Sequence, residues 1–157
     1  MKIQLLAIGK TTTSYLQQGI DIYTKRLTHY MPFEFRILPD VKNTKAMTSD
    51  VQKIKEGEMF LSTIGPGDFI VLLDERGKEF TSRQFSEFIE RKMVEISRNL
   101  IFVIGGPYCF SDEMYQRADM KLSFSKMTFS HEMIRLFFVE QVYRAMTIMR
   151  GEPYHHD

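Results

Sequence analysis

The segment Leu122–Arg150, LSFSKMTFSHEMIRLFFVEQVYRAMTIMR, decides how the rest of the chain must pack. Residues 124–129 mix hydroxyl, aromatic and basic side chains without a period of two or 3.6, which predicts an irregular loop. Residues 131–149 are apolar on nearly all sides, and Ser130 is placed to cap them as a helix. Such a helix must be covered on more than one side, and we expect a partner subunit to supply part of that cover.

Both ends of this predicted helix carry the usual boundary signals. Glu132 falls in the first turn, where negative charge suits the helix dipole. Gly151 and Pro153 follow the last apolar residue, as is common just past a helix end. The pattern therefore predicts an irregular loop that leads into a long buried helix, followed by a short polar tail.

The length and composition describe one ordinary globular domain spanning residues 1–157. Hydrophobic residues make up 43% of the chain and charged residues 26%. We find no apolar run near the roughly 20 residues of a membrane helix and no export signal at the amino terminus. The single cysteine, Cys109, has no partner for an internal disulfide, so we expect a cytoplasmic protein. The net charge of +1 is low for a protein that binds free nucleic acid, although it allows a local basic surface.

Strand and helix patterns alternate along the chain. Apolar runs predict strands at 2–8, 33–38, 69–73, 100–104 and 121–123. Helical spacing predicts helices at 14–27, 50–64, 81–96 and 111–117, before the helix at 131–149. Because two of the strands are apolar throughout, the sequence predicts an α/β fold with a parallel sheet and helices on both of its faces.

Three segments leave predicted strands at the carboxyl edge of this sheet, where ligands bind in such folds. They are Leu73–Gly77, Gly105–Cys109 and Phe124–Phe129. The pair Gly105-Gly106 directly follows an apolar strand, and a glycine there lets a ligand approach the backbone closely. A tight turn without a ligand explains the same pair equally well, so both interpretations stay open.

Several familiar motifs are absent or incomplete. The chain has neither the dinucleotide fingerprint nor a Walker sequence. The run from His131 to Arg135 begins like a zinc-binding helix but has arginine where the second histidine must stand, so we predict no metal site. Asp74 and Glu75 are more typical of a turn than of an acid/base pair.

Arg144 lies within the most apolar part of the predicted helix. Because an unpaired buried guanidinium is costly, we expect it to meet an anion or to reach solvent. Pairing with Glu140, one helical turn earlier, is the structural alternative to a role in a functional site.

Four segments carry a resemblance to a known family. IGGPYCF at 104–110, LSFSKMTFSHEMIR at 122–135, EQVYRAMTIMRGEPYHH at 140–156 and KIQLLAIGK at 2–10 resemble the RlmH family of SPOUT-class methyltransferases. The resemblance implies a carboxyl-terminal trefoil knot and a homodimer whose active site is built by both subunits. It also implies methyl transfer from S-adenosylmethionine to N3 of a pseudouridine in 23S ribosomal RNA, on the assembled ribosome and without a metal.

The family pattern also assigns site residues to this chain. It implies that the cofactor is bound by Leu73, Gly105, Phe124, Ser125, Lys126, Met127, Thr128 and Phe129. It implies a substrate side formed by His131, Arg144, Tyr154 and His155, of which we favour Arg144 and the tail. The chain departs from the pattern at Cys109, where the family usually has glycine, and at Ser130, where proline is common.

The implied chemistry suits these residues, because a sulfonium methyl is already electrophilic and needs only alignment and electrostatic help. We hypothesise that Arg144 stabilises negative charge on the target base, and that His155 accepts the proton or helps to hold the base. Two other functions stay open at this point. One is a SPOUT methyltransferase with another RNA target, and the other is a non-catalytic nucleotide-binding module associated with the ribosome.

Overall fold

The five strands of this protein form one parallel sheet. A computed structural model describes residues 1–157. The strands are β1 (Ile3–Ile8), β2 (Phe33–Leu38), β3 (Phe69–Glu79), β4 (Leu100–Ile104) and β5 (Met120–Ser123). Their spatial order is β2-β1-β4-β3-β5, and every neighbouring pair is parallel. All five residues of β4 are buried, which explains why its sequence shows no polar alternation.

Five α-helices connect and follow the strands. They are α1 (Ser14–Leu27), α2 (Ser49–Thr63), α3 (Ser82–Glu95), α4 (Asp112–Arg117) and α5 (Met133–Met149). At the start of α3, Thr81 and Gln84 form a reciprocal capping box. Ser111 likewise accepts a hydrogen bond from the backbone N–H of Met114 at the start of α4. These caps end the preceding loops at defined residues.

The helices lie on both faces of the sheet, as the sequence predicted. On one face, a core of 19 buried residues joins the sheet to α1, α3 and α5. On the other face, a second core of nine buried residues joins it to α2 and α4 through Phe60 and Met114. The prediction of a parallel α/β sheet covered on two sides is therefore confirmed.

Helix α5 packs between α1 and α3, so much of its cover comes from its own chain. Phe138, Val139, Val142 and Ala145 are essentially inaccessible to solvent. Phe137 on the outer side remains 40% exposed and stacks edge-on against Phe129 of the preceding loop. The apolar character of the helix is thus explained in part within one chain, and an outward apolar strip remains. The carboxyl-terminal knot stays a prediction from the resemblance.

Two predicted boundaries were wrong by two residues or more. We predicted that the third strand ends at Leu73, but β3 continues to Glu79 after an irregular stretch in which Leu122 of β5 pairs with both Leu73 and Lys78. Gly77 makes this return possible, because a Cβ there would lie 2.6 Å from the backbone N of Leu122. Helix α5 begins at Met133 rather than residue 131, although the Ser130 hydroxyl does accept the Met133 N–H. No helix combines the length and the hydropathy needed to cross a lipid bilayer.

Candidate functional site

A cavity of about 360 Å³ opens at the carboxyl ends of β3, β4 and β5. This volume lies within the range of small-molecule sites, which starts at about 300 Å³. The three segments that the sequence placed at this edge form its walls. The lining residues are Leu73, Asp74, Glu75, Ile104, Gly105, Gly106, Pro107, Cys109, Phe110, Leu122, Ser123, Phe124, Ser125, Met127, Thr128, Phe129, Ser130, His131 and Ile134.

The first wall is a glycine turn after β4. The backbone N–H of Cys109 donates to the carbonyl of Gly106 at 3.2 Å, which closes a tight turn over residues 106–109. A Cβ at Gly105 would lie 3.2 Å from the Cys109 carbonyl and from the Phe110 ring, so the backbone is closely packed there. The tight turn is therefore present, and the approach of a ligand to this backbone stays a prediction.

Cys109 adopts a left-handed backbone conformation with φ of +65°. A side chain is disfavoured in that region of φ, whereas glycine adopts it freely. This geometry gives the physical reason why glycine is usual at this position of the family pattern. The exposed thiol sits on the cavity wall and the turn keeps its shape around it.

The second wall is the irregular loop 124–130, which is held by its own hydroxyl groups. Ser123 Oγ donates to the carbonyl of Ser125 at 2.8 Å, and Ser125 Oγ accepts the Met127 N–H at 2.9 Å. Thr128 Oγ1 donates to the Glu75 carboxylate at 2.9 Å and so ties the loop to β3. The small polar residues that interrupt any strand or helix periodicity in this stretch therefore also fix the shape of the loop.

The third wall is the irregular part of β3, centred on Asp74. Its carboxylate is buried and accepts hydrogen bonds from Tyr115 Oη at 2.5 Å and from the Arg76 N–H at 2.8 Å. Burial alone would raise the pKa of Asp74, but these hydrogen bonds outweigh it and hold the pKa below its usual range. Burial and the bond to Asp74 together raise the pKa of Tyr115 to about 12. Asp74 thus stabilises a turn-like stretch, as its sequence context suggested.

The amino-terminal end of α5 binds the loop that follows β1. The Glu132 carboxylate accepts hydrogen bonds from the backbone N–H groups and hydroxyls of Thr12 and Thr13. Arg135, 2% exposed, donates to the carbonyls of Ile8 and Gly9 at 2.9 and 2.8 Å. Glu132 therefore holds the neighbouring loop by hydrogen bonds, in addition to interacting with the dipole of its own helix.

The cavity contains most of the residues that the resemblance assigned to the cofactor. Leu73, Gly105, Phe124, Ser125, Met127, Thr128 and Phe129 line it. Lys126 belongs to the same loop and is exposed, but it does not line the cavity. Of the four residues assigned to the substrate side, His131 alone lies on the cavity wall.

The other three substrate-side residues form a separate cluster with Glu140, here named the tail cluster: Glu140, Arg144, Tyr154 and His155. Arg144 Nη2 donates to Glu140 Oε1 at 2.6 Å, and its guanidinium lies 4.7 Å from the centre of the Tyr154 ring. Tyr154 Oη donates to the same Glu140 oxygen at 2.9 Å. The pairing of Arg144 with Glu140 that the sequence offered as an alternative is therefore present.

The hydrogen bonds of His155 define its tautomer. Arg144 Nη1 lies 3.2 Å from His155 Nδ1, and a guanidinium only donates, so Nδ1 must be the acceptor. Nε2 then carries the proton and donates to Asp157 Oδ1 at 3.1 Å. In this arrangement His155 has no free lone pair with which to accept another proton.

Electrostatics within the tail cluster favour a charged Arg144 and a neutral Tyr154. Burial lowers the pKa of Arg144, but the hydrogen bond and attraction to Glu140 outweigh it and raise the pKa overall. Burial and the hydrogen bonds with Tyr23 and Glu140 raise the pKa of Tyr154 well above its usual range. The cluster therefore holds a charged Arg144, paired with the Glu140 carboxylate, beside the Tyr154 ring.

The tail cluster and the cavity are far apart within one chain. Ile134 lines the cavity, and Arg144 follows ten residues later on the same helix. At 1.5 Å per residue, the two positions are about 15 Å apart along the helix axis. A single chain thus carries the two halves of the predicted site without joining them.

Comparisons with known proteins agree with this architecture. The family described as "Predicted SPOUT methyltransferase" matches residues 1–155. The ribosomal RNA large subunit methyltransferase H of Parabacteroides distasonis is 57% identical over 157 residues, covering all of both chains. The protein of the same name from Christiangramia forsetii is 58% identical over 156 residues, with 99% of each chain covered.

A solved structure shares the fold alone. A probable methylase family protein from Haemophilus influenzae superposes with a TM-score of 0.50 at 10% identity, covering 95% of this chain and 66% of that one. The resemblance seen in the sequence is confirmed by the family match and by the full-length relatives. The chain belongs to the SPOUT methyltransferase family, together with the large subunit methyltransferases H to which it is similar.

Proposed function

We propose that this chain methylates 23S ribosomal RNA at N3 of a pseudouridine, using S-adenosylmethionine, on the assembled ribosome in the cytoplasm. The observation that carries the proposal is the full-length identity, above 50%, with relatives named ribosomal RNA large subunit methyltransferase H. The identity of the methyl donor and of the target atom is implied by the family resemblance of the motifs at 104–110, 122–135 and 140–156.

The cavity fits the proposed cofactor in size and in chemistry. Its apolar surfaces, which include Leu73, Ile104 and Leu122, suit the faces of a nucleoside. Gly105 lines the cavity without a side chain, so its backbone N–H and C=O groups can be approached by a ligand. S-adenosylmethionine, when bound, supplies an electrophilic methyl group on its sulfonium sulfur.

The residues of this chain then have to align the target base and favour loss of its N3 proton. The methyl carbon and N3 must come within about 3–3.5 Å of each other, so the base must lie at the cavity. Arg144 is too far along α5 to reach a base at the cavity of its own chain. A second copy could bring its tail cluster to that cavity. The exposed Met127 and Phe129 of the cavity wall, with Phe137 packed against Phe129, support this homodimer, since clustered exposed apolar groups are typical of interaction surfaces.

We assign Arg144 the role of stabilising negative charge on the carbonyl oxygens that flank N3. Its charge is fixed, and Glu140 and His155 hold two edges of the guanidinium in place. A preorganised charge of this kind acts most strongly where water is excluded. Because both ring nitrogens of His155 are already hydrogen-bonded, we assign this residue to holding Arg144 in place rather than to accepting the proton.

Labelled methyl transfer tests the proposal. The protein is incubated with methyl-labelled S-adenosylmethionine and ribosomes from cells that lack the gene, and the modified base is mapped by mass spectrometry. We expect label in one nucleotide of 23S RNA, as a methylated pseudouridine. Label on another RNA would contradict the target, and the absence of any label would contradict the activity.

Light scattering at micromolar concentration tests the dimer separately. We expect twice the mass of one chain. A stable monomer with a native circular dichroism spectrum would contradict a site shared by two subunits.

A further inference from the structure

A buried carboxylate on α2 has one oxygen without a hydrogen-bond partner. Glu56 is 4% exposed. Its Oε1 accepts a hydrogen bond from Gln52 Nε2 at 3.0 Å, whereas its Oε2 is inaccessible to solvent and has no hydrogen-bond partner. A buried acceptor without a donor is costly, so an unpartnered oxygen of this kind calls for an explanation.

Glu56 faces the back of the glycine turn that forms the first wall of the cavity. A Cβ added at Gly106 would lie 2.7 Å from Glu56 Oε1 and 2.8 Å from its carboxyl carbon. Gly106 does not adopt the left-handed conformation that side chains avoid, so its backbone would tolerate alanine. The carboxylate is therefore what excludes a side chain at Gly106.

The next residue of α2 supports the far end of the same loop. A Cβ at Gly57 would lie 3.2 Å from Ser111 Cβ, so the helix backbone packs directly against the residue that caps α4. Consecutive residues of α2 thus touch the loop between β4 and α4 at both ends. The position of the loop depends on this helix.

The turn also contains a donor without an acceptor. The backbone N–H of Tyr108 makes no hydrogen bond within the chain, whereas Gly106 and Cys109 pair with each other and close the turn. An unpartnered carboxylate oxygen therefore lies behind a turn that has an unpartnered N–H group. A movement of the turn that brings the two groups together would satisfy both.

We propose that Glu56 is a positioning residue for the cofactor cavity, and that its Oε2 accepts a backbone N–H of the Gly106–Cys109 turn when the cofactor binds. Glu56 acts from behind the turn and does not line the cavity itself. The inference rests on the proposed function, because it takes S-adenosylmethionine as the ligand of that cavity. A carboxylate that only stabilised α2 would affect melting but not cofactor affinity.

Calorimetric titration with S-adenosylmethionine tests this role with Glu56→Ala, Gly106→Ala and the double variant. We expect each single change to weaken binding by about tenfold, because the turn is either released or pushed outward. The double variant should bind more tightly than Gly106→Ala alone, since removing the carboxylate makes room for the new methyl group. Turnover should show a raised KM for the cofactor and an unchanged kcat at saturation.

Two further variants keep the test interpretable. Gln52→Ala removes the donor to Oε1 but leaves the carboxylate against the turn, so its affinity should match the wild type. Glu56→Gln keeps the shape of the side chain and one acceptor, and should fold and bind with intermediate affinity if Glu56→Ala is unstable.

The outcomes separate this inference from the proposed function. If the wild type binds S-adenosylmethionine and Glu56→Ala binds it with the same affinity, the role of Glu56 is overturned but the proposed function is not. The same holds if the losses of affinity in the two single variants simply multiply in the double variant. A wild-type chain that binds no S-adenosylmethionine would overturn the proposed function and this inference together.

Discussion

The cavity and the tail cluster are built in different ways. The cavity lies at the ends of three strands, and its shape comes from turns, backbone groups and hydroxyls, as in the loop 124–130. The tail cluster lies on the carboxyl-terminal half of α5, and its shape comes from charged and aromatic side chains around Arg144. The first arrangement suits binding of a small molecule, whereas the second suits stabilisation of charge.

The difference explains why one chain holds both parts without joining them. Loops at strand ends can surround a ligand, but they contain no fixed positive charge in this protein that faces the cavity. A helix can hold a charge rigidly, but its far end lies about 15 Å from the cavity. In the proposed homodimer, a symmetric pair of chains would bring the unlike parts together twice, once at each site.

The largest expected effect separates the two regions by function. Arg144→Ala should reduce methyl transfer by about 100-fold or more, as for loss of one preorganised transition-state charge, and leave cofactor affinity unchanged. Arg144→Lys should restore little, because an ammonium lacks the planar fork of donors. Single-turnover rates and calorimetry measure the two quantities.

Arg91→Ala is the matched control, because Arg91 pairs with Glu95 one turn away on the exposed side of α3. It should transfer methyl at the wild-type rate. An Arg144→Ala protein that melts earlier but transfers methyl normally in the cold would make Arg144 a structural residue.

A substitution in the cavity should instead reduce cofactor affinity. Gly105→Val should weaken S-adenosylmethionine binding by more than tenfold, or about 1.4 kcal/mol, because its side chain meets the Cys109 carbonyl and Phe110 ring. Gly105→Ala should lose less, in proportion to its size. If the valine variant keeps near-normal affinity, the glycine serves only the turn.

A smaller effect is expected at Glu140, which supports the tail cluster without facing the base. Glu140→Ala should slow methyl transfer by about tenfold, because it removes the acceptor shared by Arg144 and Tyr154. Cofactor affinity should stay constant, and Glu95→Ala is the matched control on α3. A normal rate in Glu140→Ala would show that Arg144 keeps its position without this carboxylate.

The smallest effect concerns the stability of the cavity wall. Tyr115→Phe should lower the free energy of unfolding by about 1.5 kcal/mol at neutral pH, because Asp74 loses a hydrogen bond. The folded pKa of Asp74 is depressed, so its contribution is present above the unfolded value of about 4 and is lost as the pH falls through the folded pKa.

The difference between the two proteins should therefore shrink in acid. Denaturant titrations at several pH values measure it, and Tyr15→Phe, at an exposed tyrosine, is the control. A difference that stays constant into strong acid would show that the Tyr115 hydroxyl acts independently of the Asp74 charge.

Most of the fold was predictable because its elements follow local patterns. Apolar runs located all five strands, and the helical spacing at 14–27 gave α1 its observed bounds. The continuation of β3 was not predictable, because residues 74–79 are mostly charged and their pairing with β5 depends on a glycine packed against another strand. Local pattern thus gives elements, while irregular pairing depends on tertiary contacts.

The part of the candidate site that is formed by loop backbone was predictable from the sequence. The three wall segments follow strands, and the rule on strand ends found them. Glu56, Tyr115 and Arg135 were missed, because each acts through a partner that is distant in sequence, such as Ile8 for Arg135. The signal that pointed to Arg144, a charge inside an apolar helix, applied equally to Arg135.

The central claim, that the cavity of one chain works with the tail cluster of another, is tested most directly by mixing two inactive variants. Gly105→Val has an intact tail cluster and Arg144→Ala an intact cavity, so a mixed dimer contains one complete site and one doubly defective site. After denaturation and refolding of an equal mixture, half of the dimers are mixed. We therefore expect about a quarter of wild-type methyl transfer. Activity no greater than that of the separate variants would contradict a site shared between subunits.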